Sequence, residues 1–192
     1  VALYPPRPDA IVTLLHDADF LPGTQTLLYS LKKNLSLKQM YPPEVVVLVT
    51  PNVSPESYQS LCPTLCTRIL PVTEWVPPLS PSNKQGGQTW ERTFDNHCPG
   101  WTKLRIFALQ QYDTILYIDS DCLVVKDVSS LLELNKVYTE SQALIAAVPD
   151  LLPPHCFNSG VMVIRPSAEV FQSMEQYAAK DYGKHHHHSG MD

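Results

Sequence analysis

Asp119 and Asp121 stand one residue apart, directly after Thr114-Ile115-Leu116-Tyr117-Ile118, the most strand-like run in the chain. A continuous apolar run rich in β-branched and aromatic residues, cut off by polar ones, reads as a buried strand of a parallel sheet. In open α/β sheets, ligands bind just beyond the carboxyl ends of such strands. Two carboxylates placed there offer hard oxygen ligands to a divalent cation, and a cation so held can hold a diphosphate. Asp and Ser also favour turns and helix caps, so the segment alone leaves a metal site and a turn both open.

The elements that must position this pair follow from periodicity. Ala10 to Leu15 reads as a short strand ending at His16-Asp17. From Gly23 to Asn34, Leu27, Leu28, Leu31 and Leu35 recur at helical spacing, with Lys32 and Lys33 at the end the dipole prefers. Val45 to Thr50 reads as a second buried strand, Ser54-Pro55-Glu56 as a capped helix start, and Arg68 to Val72 as a third strand. Pro77 to Pro99 is a long loop rich in proline and glycine, and such loops in compact domains are usually functional or mobile. Helical spacing resumes over Trp101 to Leu109, before the acidic strand. Beyond it come a short helix near Val128 to Leu134, a strand over Ala143 to Val148, a strand over Phe157 to Ile164, and a helix over Ser167 to Ala179. Strands alternating with helices predict a parallel, doubly wound sheet.

At 192 residues the chain fits one sizeable domain, and its 17% charged and 44% hydrophobic content excludes disorder and coiled coil. A net charge of -5 gives no basic stripe, which argues against nucleic acid as a partner. No run approaches the roughly 18 apolar residues of a membrane span. The chain opens at Val1 rather than Met, so the lack of a visible targeting signal carries no weight. Five cysteines (Cys62, Cys66, Cys98, Cys122, Cys156) show no paired zinc spacing and read as inert thiols. Two Asn-x-Ser sequons, at Asn34 and Asn52, leave the compartment undecided between cytoplasm and Golgi lumen.

No Gly-x-Gly-x-x-Gly follows any strand and no P-loop is present, so the phosphates of a nucleotide must be met by a metal and isolated basic groups. Lys103, on the helix before the acidic strand, is one such group; without further context it reads as a solvated lysine. A competing reading is a phosphatase of the haloacid dehalogenase type, in which the first Asp of Asp-x-Asp attacks phosphorus. Those enzymes carry the motif on their opening strand, whereas here over a hundred residues precede it, and Leu123 stands where Thr or Val is usual.

Taken in order, Ala10-Ile-Val-Thr-Leu, Ser30-Leu-Lys-Lys, Val47-Leu-Val-Thr-Pro51, Trp101-Thr-Lys-Leu, Tyr117-Ile-Asp-Ser-Asp-Cys-Leu-Val and Cys156-Phe-Asn-Ser-Gly-Val-Met-Val resemble glycosyltransferase family 8, its glycogenin-like members in particular. Gly190-Met191-Asp192 is similar to the start of that family's Gly-x-Asp-Gln segment, which makes His185 to His188 a natural His-rich loop rather than a tag. The resemblance implies an α/β fold of the GT-A type, Rossmann-like with a mostly parallel central sheet. It implies a single domain over 1–192 lacking its C-terminal part, with a donor-binding half at about 1–125 and a sugar and acceptor side at about 126–192. It also implies transfer of a hexose from a UDP-sugar to a glycan or protein hydroxyl with retention of configuration, dependent on Mn2+, and leaves a homodimer open.

Residue by residue, the resemblance assigns Asp119 and Asp121 to Mn2+ and Ser120 to the ribose. Leu14, His16, Asp17 and Phe20 fall around the uridine; Phe20 replaces a stacking tyrosine, and His16 and Asp17 replace the usual Thr and Asn. Lys103 matches a donor-contacting lysine, and Asn158, Ser159 and Gly160 match the lining of the sugar pocket. Asn158 and Asp192 are the catalytic candidates, Asp192 matching the acid near the anomeric centre. The family's later His-x-x-Gly-x-x-Lys-Pro-Trp segment, which supplies a third metal ligand, is absent. A UDP-sugar-binding scaffold without activity is therefore the alternative to an enzyme.

Overall fold

The computed structural model describes residues 7–35, 42–75, 99–134, 144–150 and 157–181. Asp192, the His185 to His188 run, Cys98, Cys156 and all of the proline-rich loop except Pro99 lie outside the described residues. The sheet is built around β1 (Ala10–Leu15), whose six residues are all buried, as a central strand covered on both faces must be. On one side β1 pairs in parallel with β2 (Glu44–Val49), which pairs in parallel with β3 (Arg68–Pro71). On the other side β1 pairs in parallel with β4 (Ile115–Ile118), the strand that ends at Asp119.

One strand runs against the others. β6 (Phe157–Ile164) lies antiparallel between β4 and β5 (Ile145–Pro149), giving the order β3-β2-β1-β4-β6-β5. Only residues 150–156 connect β5 to β6, too few for the dozen or more residues that a parallel crossover needs. The sheet is α/β and mostly parallel, with one reversed strand.

Alternate residues of each strand face two different cores. Ile11, Leu15, Val47, Leu116 and Ile118 pack with Leu27, Leu28 and Leu31 of α1 (Leu21–Asn34) and with Leu132 of α3 (Ser129–Leu132). Val12, Leu14, Val46, Leu48 and Tyr117 pack with Ile106 and Phe107 of a 3-10 helix at Pro99–Ala108, and with Phe171 of α4 (Ala168–Asp181). The short α2 (Pro55–Tyr58) has Pro in its first turn as expected, but the Ser54 hydroxyl meets that of Ser57 at 3.0 Å instead of capping the helix. In α1, Pro22 stands in the first turn and Lys32 and Lys33 in the last, while the three fully buried leucines contribute roughly 5–9 kcal/mol of burial free energy. No described helix is long and apolar enough to cross a membrane.

Candidate functional site

The chain steps outward from β1 to β2 to β3, then returns to place β4 on the opposite side of β1. At such a reversal the loops leaving the two strands diverge and open a crevice at their carboxyl ends. A cleft of about 170 Å³ lies there, lined by Leu14, His16, Phe20, Gly100, Lys103, Tyr117, Asp119, Ser120 and Asp121. Three separate stretches of sequence thus meet at the end of one pair of strands.

Asp119 is held from several directions. Its backbone N–H donates to Gly160 O at 2.8 Å, tying the end of β4 to β6. Its Oδ1 accepts from Tyr117 Oη at 2.8 Å and pairs with Lys103 Nζ at 2.7 Å. The Lys103 ammonium also donates to the Ser159 carbonyl and hydroxyl, both at 3.3 Å, and sits 5.1 Å from the centroid of the Tyr117 ring. With only 13% of its side chain exposed, Lys103 is not the solvated lysine that its sequence context alone allows. Burial, and then the neighbouring Asp119 carboxylate, push the Tyr117 hydroxyl well above its ordinary range, so Tyr117 stays a proton donor.

The loop after β4 is fixed against α1. A Cβ added to Gly23 would lie 2.9 Å from the Ser120 carbonyl oxygen, so only glycine lets α1 approach this closely. Farther along, Val124 N–H donates to Ser30 Oγ at 3.0 Å and Asn34 Nδ2 donates to Val124 O at 2.9 Å. Burial and the two nearby carboxylates, Asp121 first, raise the pKa of Cys122 above that of a free thiol, which keeps it protonated. On the β1 side, Thr50 Oγ1 donates to the His16 carbonyl at 2.7 Å, and the His16 ring lies 4.3 Å from that of Phe20. Burial lowers the pKa of His16 below 6.5, against the pull of Asp17, Glu74 and Asp119, so the imidazole is neutral at pH 7.

A sequence model described as Glycosyl transferase family 8 matches residues 11–187. The chain belongs to that family. It is 29% identical over 180 residues to glycogenin-2 of Saccharomyces cerevisiae (strain YJM789), covering 89% of this chain and 46% of that protein. It is 28% identical over 171 residues to glycogenin-1 of Homo sapiens, covering 89% of this chain and 43% of that one. The chain therefore spans less than half the length of these curated relatives. Among solved structures, the glycosyltransferase GlyE of Streptococcus pneumoniae TIGR4 superposes with a TM-score of 0.60 at 18% identity, over 94% of this chain and 40% of that one. The fold is the GT-A fold expected from the sequence. Family 8 membership, with the acidic pair after the fourth strand of the sheet and not the first, displaces the phosphatase alternative.

For a family 8 chain, the expected positions fall into three groups. Leu14, His16, Phe20, Lys103, Asp119, Ser120 and Asp121 line one cleft. Ser159 and Gly160 border it through Lys103 and Asp119, and a Cβ on Gly160 would lie 3.2 Å from Asp119 Oδ2. Asn158 and Asp17 are engaged locally: Asn158 Oδ1 accepts from Gly160 N–H at 2.8 Å, and Asp17 Oδ1 accepts from Asp19 N–H at 2.9 Å. Tyr117, Gly100 and Gly23 were not anticipated as site residues. Tyr117 left a signal, because residues two apart in a strand share a face, which aims its ring to the side of Asp119.

Among the described residues, no group of three or more His, Cys, Asp and Glu side chains could hold a metal ion. Asp119 and Asp121 are a pair of hard oxygen donors bordering one cleft, which suits a cation that takes its remaining ligands from a phosphate and water.

Proposed function

We propose that this chain is the donor-binding part of a metal-dependent glycosyltransferase that moves a hexose from a UDP-sugar to a glycan or protein hydroxyl with retention of configuration. The observation that carries the reading is the meeting of Asp119, Asp121 and Lys103 in the switch-point cleft of a family 8 chain. Asp119 and Asp121 would hold Mn2+, which when bound acts as a Lewis acid neutralising the charge that grows on the departing diphosphate. Lys103 supplies a second, fixed positive charge from its 2.7 Å contact with Asp119. Leu14, His16 and Phe20 form the wall for the base, where the exposed Phe20 ring offers a stacking face. Asp17 borders that wall, and Ser120 faces the ribose.

Asn158, Ser159 and Gly160 lie where sugar hydroxyls would be read, and Asp192 remains the acidic candidate near the anomeric carbon. In the transfer, the bond from that carbon to the diphosphate oxygen breaks and UDP leaves with the electron pair. The acceptor hydroxyl then bonds to the same carbon and gives up its proton. The alternative reading is a scaffold that uses the same cleft of Asp119, Asp121 and Lys103 to bind UDP-sugar without turning it over.

Calorimetric titration with UDP in Mn2+ and in EDTA tests the shared part of both readings. Binding that requires the metal is expected; equal binding in EDTA overturns the metal assignment. Hydrolysis or transfer from a panel of UDP-hexoses by the full-length protein then distinguishes enzyme from scaffold.

A further inference from the structure

Resting on the reading of Asp119 and Asp121 as cation ligands, we infer that Lys103 is an internal counter-cation that makes metal binding conditional on the nucleotide. Lys103 is already where a metal's charge would act: its ammonium is 2.7 Å from Asp119 Oδ1, fixed there by two 3.3 Å contacts to Ser159 and by the Tyr117 ring at 5.1 Å. Two carboxylates and one ammonium leave a net charge of one negative unit, so a dication arriving alone meets half the charge that the acids would otherwise offer. With only 13% of the lysine side chain and 32% of the aspartate side chain exposed, solvent screens this competition weakly.

A nucleoside diphosphate reverses the sign of the lysine's contribution. Its phosphates bring negative charge to the same cleft, and an ammonium with three donors can serve them while the metal takes the acids. Lys103 then opposes the metal in the empty cleft and joins it in the filled one. Coupling of this kind is reciprocal: the nucleotide strengthens metal binding by the same factor as the metal strengthens nucleotide binding. In a full-length protein, the device would keep the site from holding metal without donor.

The test reads the Mn2+ affinity of the full-length protein, from the electron paramagnetic resonance of free Mn2+, with and without UDP. Only the binding lost in Asp121→Asn is counted, so that adventitious metal on other side chains is excluded. Lys103→Met, neutral and of similar length, is expected to bind Mn2+ alone about tenfold tighter, and UDP is expected to improve that affinity less than in the wild type. Lys103→Gln, which keeps polar contacts to Ser159, must move in the same direction, and Lys103→Arg, which keeps the charge, must retain the wild-type pattern. Nucleotide-free Mn2+ binding that is unchanged or weaker in both neutral variants overturns the inference and leaves the acid pair as ligands. Wild-type Mn2+ binding unaffected by Asp121→Asn overturns the ligand reading itself and this inference with it.

Discussion

Each end of the sheet joins a carboxylate, a tyrosine hydroxyl and a basic side chain, in a different arrangement. At the amino end, Glu44 of β2 accepts from Tyr112 Oη at 2.8 Å through Oε2 and pairs with Arg68 Nη2 at 3.2 Å through Oε1. At the carboxyl end, Asp119 meets Tyr117 Oη at 2.8 Å and Lys103 Nζ at 2.7 Å, both through Oδ1. Glu44 therefore spends one oxygen on each partner. Asp119 concentrates both on a single oxygen and leaves Oδ2 beside Gly160, in a cleft that Asp121 also lines. The Glu44 group joins β2 to β3 and to the turn before β4, which is structural work. The Asp119 group is equally restrained yet keeps coordinating capacity on the side where an α/β sheet binds ligands.

Removing one charge at each end breaks the comparison most directly. Asp119→Asn is expected to weaken Mn2+-dependent UDP binding by about 100-fold or more, since changing even an outer-shell group around a metal costs up to that much. Glu44→Gln should leave UDP affinity alone and lower unfolding free energy by roughly 1 kcal/mol, the scale of one weakened hydrogen-bond network near the surface. Calorimetry and urea denaturation on the same two variants decide it; a nucleotide effect from Glu44→Gln would mean that the two ends are coupled.

Glycine substitutions sharpen the difference between holding the loop and shaping the site. A Cβ at Gly160 would lie 2.9 Å from Asn158 Oδ1 and 3.2 Å from Asp119 Oδ2, both side-chain ends that need to give by only a few tenths of an ångström. Gly160→Ala is thus expected to fold almost normally and to lose about tenfold in UDP affinity, because a small misplacement of a binding group is expensive. At Gly23 the obstacle is the Ser120 carbonyl at 2.9 Å, backbone that cannot rotate away. Gly23→Ala should cost roughly 1–3 kcal/mol of stability, the usual cost of overpacking. Equal stability loss in the two variants would erase the distinction.

What the sequence made legible follows the same division. The uninterrupted apolar runs of β1, β2 and β4 marked buried parallel strands, and the aspartates after β4 marked its carboxyl end, because burial on both faces leaves a strong local pattern. The reversed direction of β6 was not legible, since direction depends on the short connection from β5 and on pairing partners rather than on the strand's own residues. Lys103 was ambiguous for a related reason: its hydrogen-bond partner Ser159 lies over fifty positions away, and no local window contains both. The role of Tyr117 was partly readable from its two-residue offset to Asp119, but a tyrosine in an apolar strand ordinarily reads as core.

The paired tyrosines give a smaller test. Tyr117→Phe removes a donor from the carboxylate assigned to the metal, and Tyr112→Phe removes one from Glu44. Each should cost about 1 kcal/mol of stability, the net worth of a typical hydrogen bond. Tyr117→Phe alone should also alter Mn2+ affinity, by roughly tenfold, the low end of outer-shell changes. Burial raises the Tyr112 hydroxyl to about 12, with its bond to Glu44 adding to the effect, so this donor persists across the working pH range as the Tyr117 donor does. A pH dependence between 6 and 8 in either variant's difference from wild type would contradict that.

His16 supplies the smallest expected effect and the only one set by pH near neutrality. Burial beside Phe20 disfavours its charged form and outweighs the attraction of Asp17, Glu74 and Asp119, so the folded imidazole titrates below the 6.5 of the unfolded chain. Between those two values the unfolded chain binds more protons than the folded one, and protonation favours unfolding. The stability that His16 contributes is therefore complete above pH 6.5, falls as pH drops through that value, and levels off below the folded pKa. In urea midpoints measured from pH 7.5 to 5.5, wild type should lose more stability than His16→Asn, and the gap should open below about 6.5. A gap that opens in the opposite direction would mean that His16 is charged in the fold and meets the cleft as a cation, which would also change the charge that Lys103 and the acidic pair present to a nucleotide.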